Sequence, residues 1–228
     1  MREDICTIPI SEAFEENDGC PVCRMYKTVE ERIVEYIMGA AMMEPDIRIE
    51  TNRLGFCEKH LKAMMKRRGR LQLALMLETH TDELHKELFG GLLSSRQKNA
   101  EKAKAKRCSC FVCEKIDWGF SRMTETIYRT YETDRDFRAL FDSQDYFCME
   151  HYAMLVSSAS KKTMRRYYGE FTEVLEKKAS EYLKNLSADL KKFCSMYDYR
   201  NSGADADWGN SKDSIERTVE FLTGYKED

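Results

Sequence analysis

The chain contains two copies of one spacing pattern that is typical of metal sites. In each copy a Cys-x2-Cys pair is followed, after 33 or 34 residues, by a Cys-x2-His pair. Three thiols and one imidazole form a ligand set that suits tetrahedral zinc, and four protein ligands leave no position for a reactive water. We therefore predict two structural Zn²⁺ ions per chain, held in sequence order by Cys20, Cys23, Cys57 and His60 and by Cys110, Cys113, Cys148 and His151.

Other uses of the same ligands stay open. Three thiolates and an imidazole can hold an iron–sulfur cluster. If His60 or His151 did not bind the metal, an open three-thiolate site would have catalytic potential. The copies could also exchange pairs, Cys20 and Cys23 joining Cys148 and His151. The near-identical spacing makes pairing within each copy the more economical arrangement.

Helices are expected to position these ligands. Apolar residues recur at intervals of three and four, and no segment shows sustained alternation. The three prolines and 11 glycines also favour long helices over a turn-rich β architecture. The pattern predicts helices over Pro21–Met38, from Pro45 to near Gly55, over Glu58–Lys66, Leu71–Phe89, Cys113–Tyr131 and Arg135–Phe141, on a segment carrying His151, and over Lys161–Phe193.

The expected fold is all-α, with two duplicated helical halves that each contain a metal site of three cysteines and one histidine. A repeat near ninety residues suits two fused domains better than a stacked array. The predicted segments are a first metal-binding repeat at 1–93, a basic linker or helix extension at 94–107, a second repeat at 108–197, and a C-terminal strap and helix at 198–228. In the last segment Ser211 is expected to cap the helix, and Trp208 to anchor the strap or serve as a lid.

Composition restricts the class of protein. With 42% hydrophobic and 34% charged residues, the sequence is typical of a soluble globular protein. No basic stretch leads into an apolar run at the N-terminus, and the longest apolar run, 73–77, is too short for a membrane span. We therefore expect a cytoplasmic protein with no membrane association. In a reducing compartment, the paired spacings among its nine cysteines indicate metal ligands rather than disulfides.

Three cysteines stand outside both motifs. We expect Cys6 and Cys194 to be small buried residues. Cys108 lies two residues before Cys110, so it could be an alternative ligand or a reactive thiol.

Basic residues follow both motif histidines. They could hold nucleic-acid phosphates or a phosphorylated ligand, or they could form solvated helix faces. The net charge of −3 argues against nucleic acid. The residues are Lys62, Lys66, Arg67, Arg68 and Arg70 in the first copy, and Lys161, Lys162, Arg165 and Arg166 in the second.

These features indicate a non-enzymatic cytoplasmic zinc-binding protein. It would serve as an interaction or ligand-binding module for an unknown protein or small ligand, in an oligomeric state that the sequence does not give. One alternative is a thiol redox or zinc sensor, in which oxidation of Cys20 and Cys23, or of Cys110 and Cys113, ejects metal and unfolds a half. Two further alternatives are a zinc enzyme with an open site and a nucleic-acid-binding protein that uses the basic residues.

Several longer stretches resemble an uncharacterised family of bacterial proteins found largely in anaerobes. The resemblance covers nearly the whole chain, and it implies a domain of unknown function with no catalytic role to carry over. Some members bear a transporter-related label, which neither an export signal nor a membrane span supports here. The stretches are Thr7-Ile8-Pro9-Ile10, Cys20-Pro21-Val22-Cys23, the run from Met43 to Asn52, Gly55-Phe56-Cys57-Glu58-Lys59-His60, the run from Leu73 to His80, Asp198-Tyr199-Arg200-Asn201, and the run from Trp208 to Asp213.

Overall fold

The computed structural model describes residues 8–16, 18–90, 95–198 and 207–224. Across those ranges the chain forms helices and no strand, which confirms the all-α class. No helix in these ranges is long and apolar enough to cross a membrane. The α-helices are α1 (Ile8–Glu15), α2 (Pro21–Met38), α3 (Pro45–Leu54), α4 (Glu58–Lys66), α5 (Arg70–Phe89), α6 (Arg96–Arg107), α7 (Phe111–Thr133), α8 (Arg135–Ser143), α9 (Met149–Ser158), α10 (Tyr168–Ser195) and α11 (Ser214–Thr223).

The helices that carry the motifs agree with the predicted ones to within a few residues. The helix α10 begins later, at Tyr168 and not near Lys161. The carboxylate of Glu132 accepts hydrogen bonds from the backbone N–H groups of Arg166 and Tyr167, at 3.0 and 3.1 Å. These bonds fix a turn before the helix can start, which periodicity alone does not reveal.

The start of the last helix differs from the prediction, and the basic segment 94–107 proves to be a helix and not an irregular linker over most of its length. Ser211 does not cap the last helix, because it lies in a 3₁₀ turn and its hydroxyl donates to the Trp208 carbonyl at 2.6 Å. The basic segment is helical over α6, and its cap is the Ser95 hydroxyl, which accepts from the Lys98 N–H at 3.2 Å.

The contacts divide the chain into two compact units that do not follow the sequential repeats. Unit 1 comprises residues 1–26 and 122–228, and unit 2 comprises residues 27–121. The boundaries fall inside α2 and α7. The residues before Lys27, which the repeat assigns to the first half, therefore group with most of the second half.

An aromatic cluster forms the core of unit 1. The ring of Phe141 on α8 lies 5.1 Å from Tyr131 on α7, 5.1 Å from Phe171 on α10 and 4.7 Å from Phe147. All four side chains are fully buried. Aromatic packing of this kind contributes beyond area burial. It holds Phe147 in place and so fixes the next residue, Cys148.

The last helix of unit 1 is attached to α10 by aromatic and charged contacts. Tyr146 stacks on Tyr182 at 4.0 Å, and Phe221 of α11 lies 5.5 Å from Tyr182. Arg217 of α11 pairs with Asp189 of α10 at 2.9 Å. Nearby, Trp208 packs 5.7 Å from Phe193 of α10, which supports the anchor interpretation.

Unit 2 packs α3 and α4 against α5 around buried Leu54, Met64 and Met76. Two hydrogen bonds join the segments that precede the ligands. The Phe111 N–H donates to the Gly55 carbonyl at 2.9 Å, and the Ser109 hydroxyl donates to the Leu54 carbonyl at 2.6 Å. These bonds bring the start of α7 to the start of α4.

Candidate metal centres

The eight predicted ligands form two clusters, but the pairs are exchanged between the copies. In each cluster the four ligand atoms all lie within 4.8 Å of one another. The prediction that each copy closes its own site is therefore wrong, and the exchanged arrangement is the one observed. Cluster I contains Cys20, Cys23, Cys148 and His151 in unit 1, and cluster II contains Cys57, His60, Cys110 and Cys113 in unit 2.

In cluster I the imidazole of His151 faces three sulfurs. Its Nδ1 lies 3.1 Å from the Sγ of Cys148, 3.2 Å from that of Cys23 and 3.6 Å from that of Cys20. The Sγ atoms of Cys23 and Cys148 are 3.5 Å apart. Cys20, Cys148 and His151 are buried, and Cys23 is partly exposed.

Two helix starts supply the ligands of cluster I. Cys20 precedes Pro21, the first residue of α2, and Cys23 lies in the first turn of that helix. Cys148 is the N-cap of α9, and His151 follows one turn later. The helix dipole is positive at these ends, so it favours thiolates there.

The end of α11 covers part of cluster I. Gly224 follows this helix in the left-handed conformation, with φ at 67°. A Cβ atom at this position would lie 3.2 Å from the Sγ of Cys23 and 3.5 Å from the Sγ of Cys148. The backbone at Gly224 therefore lies so close to both sulfurs that a side chain at this position would be crowded against them.

In cluster II the imidazole of His60 has the same relation to three sulfurs. Its Nδ1 lies 3.2 Å from the Sγ of Cys57, 3.2 Å from that of Cys110 and 3.5 Å from that of Cys113. The Sγ atoms of Cys57 and Cys113 are 3.9 Å apart. His60 and Cys110 are buried, whereas Cys57 and Cys113 are partly exposed.

A carboxylate orients the histidine of cluster II. The Nε2 of His60 lies 2.8 Å from Oε1 of Glu30, which also accepts a bond from Lys59 at 2.7 Å. Hydrogen bonding to His60 and then to Lys59 lowers the pKa of Glu30 to about 2. With a metal bound, an ionised Glu30 would accept a hydrogen bond from the Nε2–H group and leave the Nδ1 lone pair for the metal, as in carboxylate–histidine–metal groups.

The electrostatics of cluster II favour a cation at its centre. Burial opposes ionisation of Cys110, but hydrogen bonds to His60 and to backbone groups outweigh it and lower the pKa to about 6. Burial and then the charge of Cys110 raise the pKa of Cys113 to about 12. Burial lowers the pKa of His60, while hydrogen bonds to Cys110 and Glu30 raise it to about 10. Ionisation of one thiol thus opposes ionisation of the next, because the two negative charges repel each other. A divalent cation between them would offset that repulsion.

Cluster I shows the same opposition between neighbouring thiols. Burial raises the pKa of Cys20, but hydrogen bonds from Cys148 and Cys23 lower it well below its ordinary value. Hydrogen bonds with Cys148 and Cys20, together with burial, raise the pKa of Cys23. Both clusters therefore have donor sets that could bind a metal ion.

The cysteines outside the motifs belong to neither cluster. Cys108 is exposed at the end of α6 and is not among the grouped ligands. Cys194 is also exposed, so the expectation that it is buried is wrong. Cys6 lies outside the described residues.

The basic residues after the histidines do not enter either cluster. All nine are exposed on the described surface, which agrees with the solvated interpretation of these segments. Lys62 pairs with Glu58 at 2.6 Å, and Arg166 lies against the ring of Tyr167 at 5.2 Å.

Comparison with known proteins gives a family without a known activity. No curated protein matches the chain, and no solved structure matches it. Residues 1–228 match a family described as a family of unknown function, DUF6062. The chain, with its two groups of three cysteines and one histidine, belongs to that family.

Proposed function

We propose that this protein binds two structural zinc ions, one in cluster I and one in cluster II, through all eight motif residues. The ions cross-link helix starts that are distant in sequence. The protein would then act as a non-enzymatic, zinc-stabilised interaction or ligand-binding module in a reducing compartment such as the cytoplasm, where thiolate ligands persist.

The spacing of the ligand atoms carries this proposal. A tetrahedral zinc ion with bonds of about 2.3 Å to sulfur and about 2.0 Å to nitrogen separates nitrogen from sulfur by roughly 3.5 Å and two sulfurs by roughly 3.8 Å. The six nitrogen–sulfur distances of the clusters run from 3.1 to 3.6 Å. The two sulfur–sulfur contacts are 3.5 and 3.9 Å. Such distances suit the ligands of one small ion.

The same distances weigh against different metal chemistries. In an iron–sulfur cluster the four protein ligands are divided among two or more iron atoms, so the set as a whole is wider than the four ligands of a single ion. An open catalytic site would need one histidine to remain unbound. The Nδ1 atoms of His60 and His151 each face all three sulfurs of their cluster, which supports a closed site of four protein ligands.

Zinc would contribute to stability in both units. Structural zinc binding has an apparent free energy of about 10–16 kcal/mol, which is similar to or larger than the net stability of an ordinary domain. In cluster I it would join residues more than 120 positions apart, such as Cys23 and Cys148. Loss of metal should therefore loosen the unit that contains the site.

Metal analysis of protein purified without added metal tests the proposal. We expect a colourless protein with two zinc ions per chain and a large loss of helical stability when a strong chelator is added. A brown sample containing iron and inorganic sulfide, or a protein free of metal and stable in chelator, would overturn it.

A further inference from the structure

We propose that Cys57 and Cys113 form a hydroperoxide-sensitive thiol pair, and that their oxidation to a disulfide releases the ion of cluster II. This inference rests on the proposed zinc site and adds a modification site to it. The disulfide joins the two copies of the motif, since Cys57 comes from a Cys-x2-His pair and Cys113 from a Cys-x2-Cys pair.

Access to both sulfurs distinguishes this pair. Cys57 and Cys113 are partly exposed, so a small hydroperoxide can reach either one and the other can follow. In cluster I only Cys23 among the three cysteines is partly exposed, and both of the other cysteines, Cys20 and Cys148, are buried. The backbone at the end of α11 also lies against the sulfurs of Cys23 and Cys148. Among the described residues, cluster I is therefore more shielded than cluster II.

The geometry suits bond formation between Cys57 and Cys113. Their Sγ atoms are 3.9 Å apart, and a disulfide bond is about 2.0 Å long, so rotation about the side-chain bonds must bring them together by roughly 2 Å. Cys57 is the N-cap of α4, and Cys113 lies in the first turn of α7. A thiol that binds zinc is deprotonated, so in the proposed zinc site both sulfurs are thiolates, which are the nucleophiles in both steps.

The reaction consumes one hydroperoxide per pair. One thiolate attacks the O–O bond, which breaks to leave a sulfenic acid on that sulfur and an alcohol or water after protonation. The second thiolate attacks the sulfenic sulfur, and the S–S bond forms as hydroxide leaves and takes up a proton. The two sulfurs lose two electrons, the peroxide gains them, and Zn²⁺ departs unchanged after losing two ligands.

A variant that lacks the exposed cysteines outside the clusters provides the control for the test. The double variant Cys108→Ser/Cys194→Ser retains all eight ligands and removes the two exposed thiols that lie outside the clusters in the described part of the chain. Both this variant and the unsubstituted chain are first assayed for zinc and then treated with one equivalent of hydrogen peroxide. A chromogenic chelator follows zinc release, and non-reducing peptide mapping identifies the disulfide.

We expect one zinc ion per chain to be released at least tenfold faster than the other in both proteins. The Cys57–Cys113 disulfide should appear in step with that release, and a thiol reductant with added zinc should reverse both. A disulfide within a Cys-x2-Cys pair, a principal disulfide to Cys108, equal release of both ions, or retention of both ions would overturn this inference alone. Absence of zinc before peroxide is added would overturn the zinc proposal and this inference with it.

Discussion

Cluster I and cluster II each bring three cysteines and one histidine together at nearly the same distances, yet their surroundings differ. Three ligands of cluster I are buried, and the end of α11 lies against two of its sulfurs. Cluster II has two partly exposed cysteines and a histidine held by the carboxylate of Glu30. The comparison teaches that a ligand motif specifies the set of donor atoms, whereas the neighbouring chain decides how exposed those donors are.

The largest effect should come from testing the exchanged pairing. The double variant Cys20→Ser/Cys148→Ser removes two ligands from cluster I only, so it should lose one zinc ion and retain the other. The variant Cys20→Ser/Cys57→Ser damages both clusters and should lose both ions, each worth about 10–16 kcal/mol of apparent binding energy. Zinc content by atomic emission measures the outcome. If the first variant instead lost two ions and the second lost one, the ligands would be paired within each copy and the exchanged arrangement would be wrong.

A smaller effect is expected at the carboxylate that orients the histidine of cluster II. Glu30→Gln removes the charge that orients His60, and loss of such an outer partner commonly lowers metal affinity by roughly 10- to 100-fold. Competition with a chelator should show one weakened ion and one unaffected ion. Glu31→Gln, an exposed neighbour on α2, is the control and should leave both affinities unchanged. If Glu30→Gln weakened the binding of both ions equally, Glu30 would not act on cluster II alone.

The shielding of cluster I can be disturbed at Gly224. An alanine there must adopt a left-handed backbone and place its Cβ against two ligand sulfurs, so we expect a loss of about 1–2 kcal/mol in unfolding free energy. Zinc should also leave cluster I faster, while cluster II is unchanged. Gly169→Ala on α10 is the matched control, because nothing lies within 4 Å of its added Cβ and helix propensity favours alanine. Chemical denaturation and zinc-release kinetics would compare the two, and equal behaviour would contradict the close approach.

The smallest expected effect is at Cys108, two residues from Cys110. This thiol is exposed and lies outside both groups of ligands, so Cys108→Ser should leave two zinc ions bound with unchanged affinity. The measurement is metal content together with chelator competition. A lost or weakened ion would show that cluster II uses a ligand beyond the four described.

The sequence was sufficient to identify the eight residues that form the two clusters and the helices that carry them. Cysteine and histidine spacings identified the residues of both clusters, and apolar periodicity predicted α2 and α4 with the observed bounds. Both signals are local, since each depends on residues within a few helical turns.

The pairing of the ligands is not a local property, and spacing misidentified it. An intervening segment of 33 or 34 residues is compatible with either arrangement, because it says nothing about where the intervening helices lead. Helix length offered a partial signal. From Cys113 to Thr133 the chain advances about 30 Å along α7, whereas α8 could return at most about 14 Å at 1.5 Å per residue. A site closed within that copy would need the remaining residues before Cys148 to be almost fully extended.

Glu30 and Gly224 had no sequence signal that pointed to the metal centres. A single glutamate on a charged helix resembles any solvated residue, and its role depends on the tertiary contact with His60. Gly224 is similar to any glycine that ends a helix, and only the packing of α11 places it beside two sulfurs.

The exchanged pairs give the two sites a nested order along the chain. Contacts in cluster II join residues 50 to 56 positions apart, and these residues lie within the longer interval of 125 to 131 positions that cluster I closes. Closing the inner interval first shortens the outer loop from about 125 to roughly 70 free residues, which lowers its closure cost by about 0.5 kcal/mol.

Metal loading should for this reason be mildly cooperative without any contact between the ions. During synthesis the ribosome also delivers the complete inner ligand set before Cys148 and His151 emerge, so a growing chain can acquire its first ion while the second site is still incomplete.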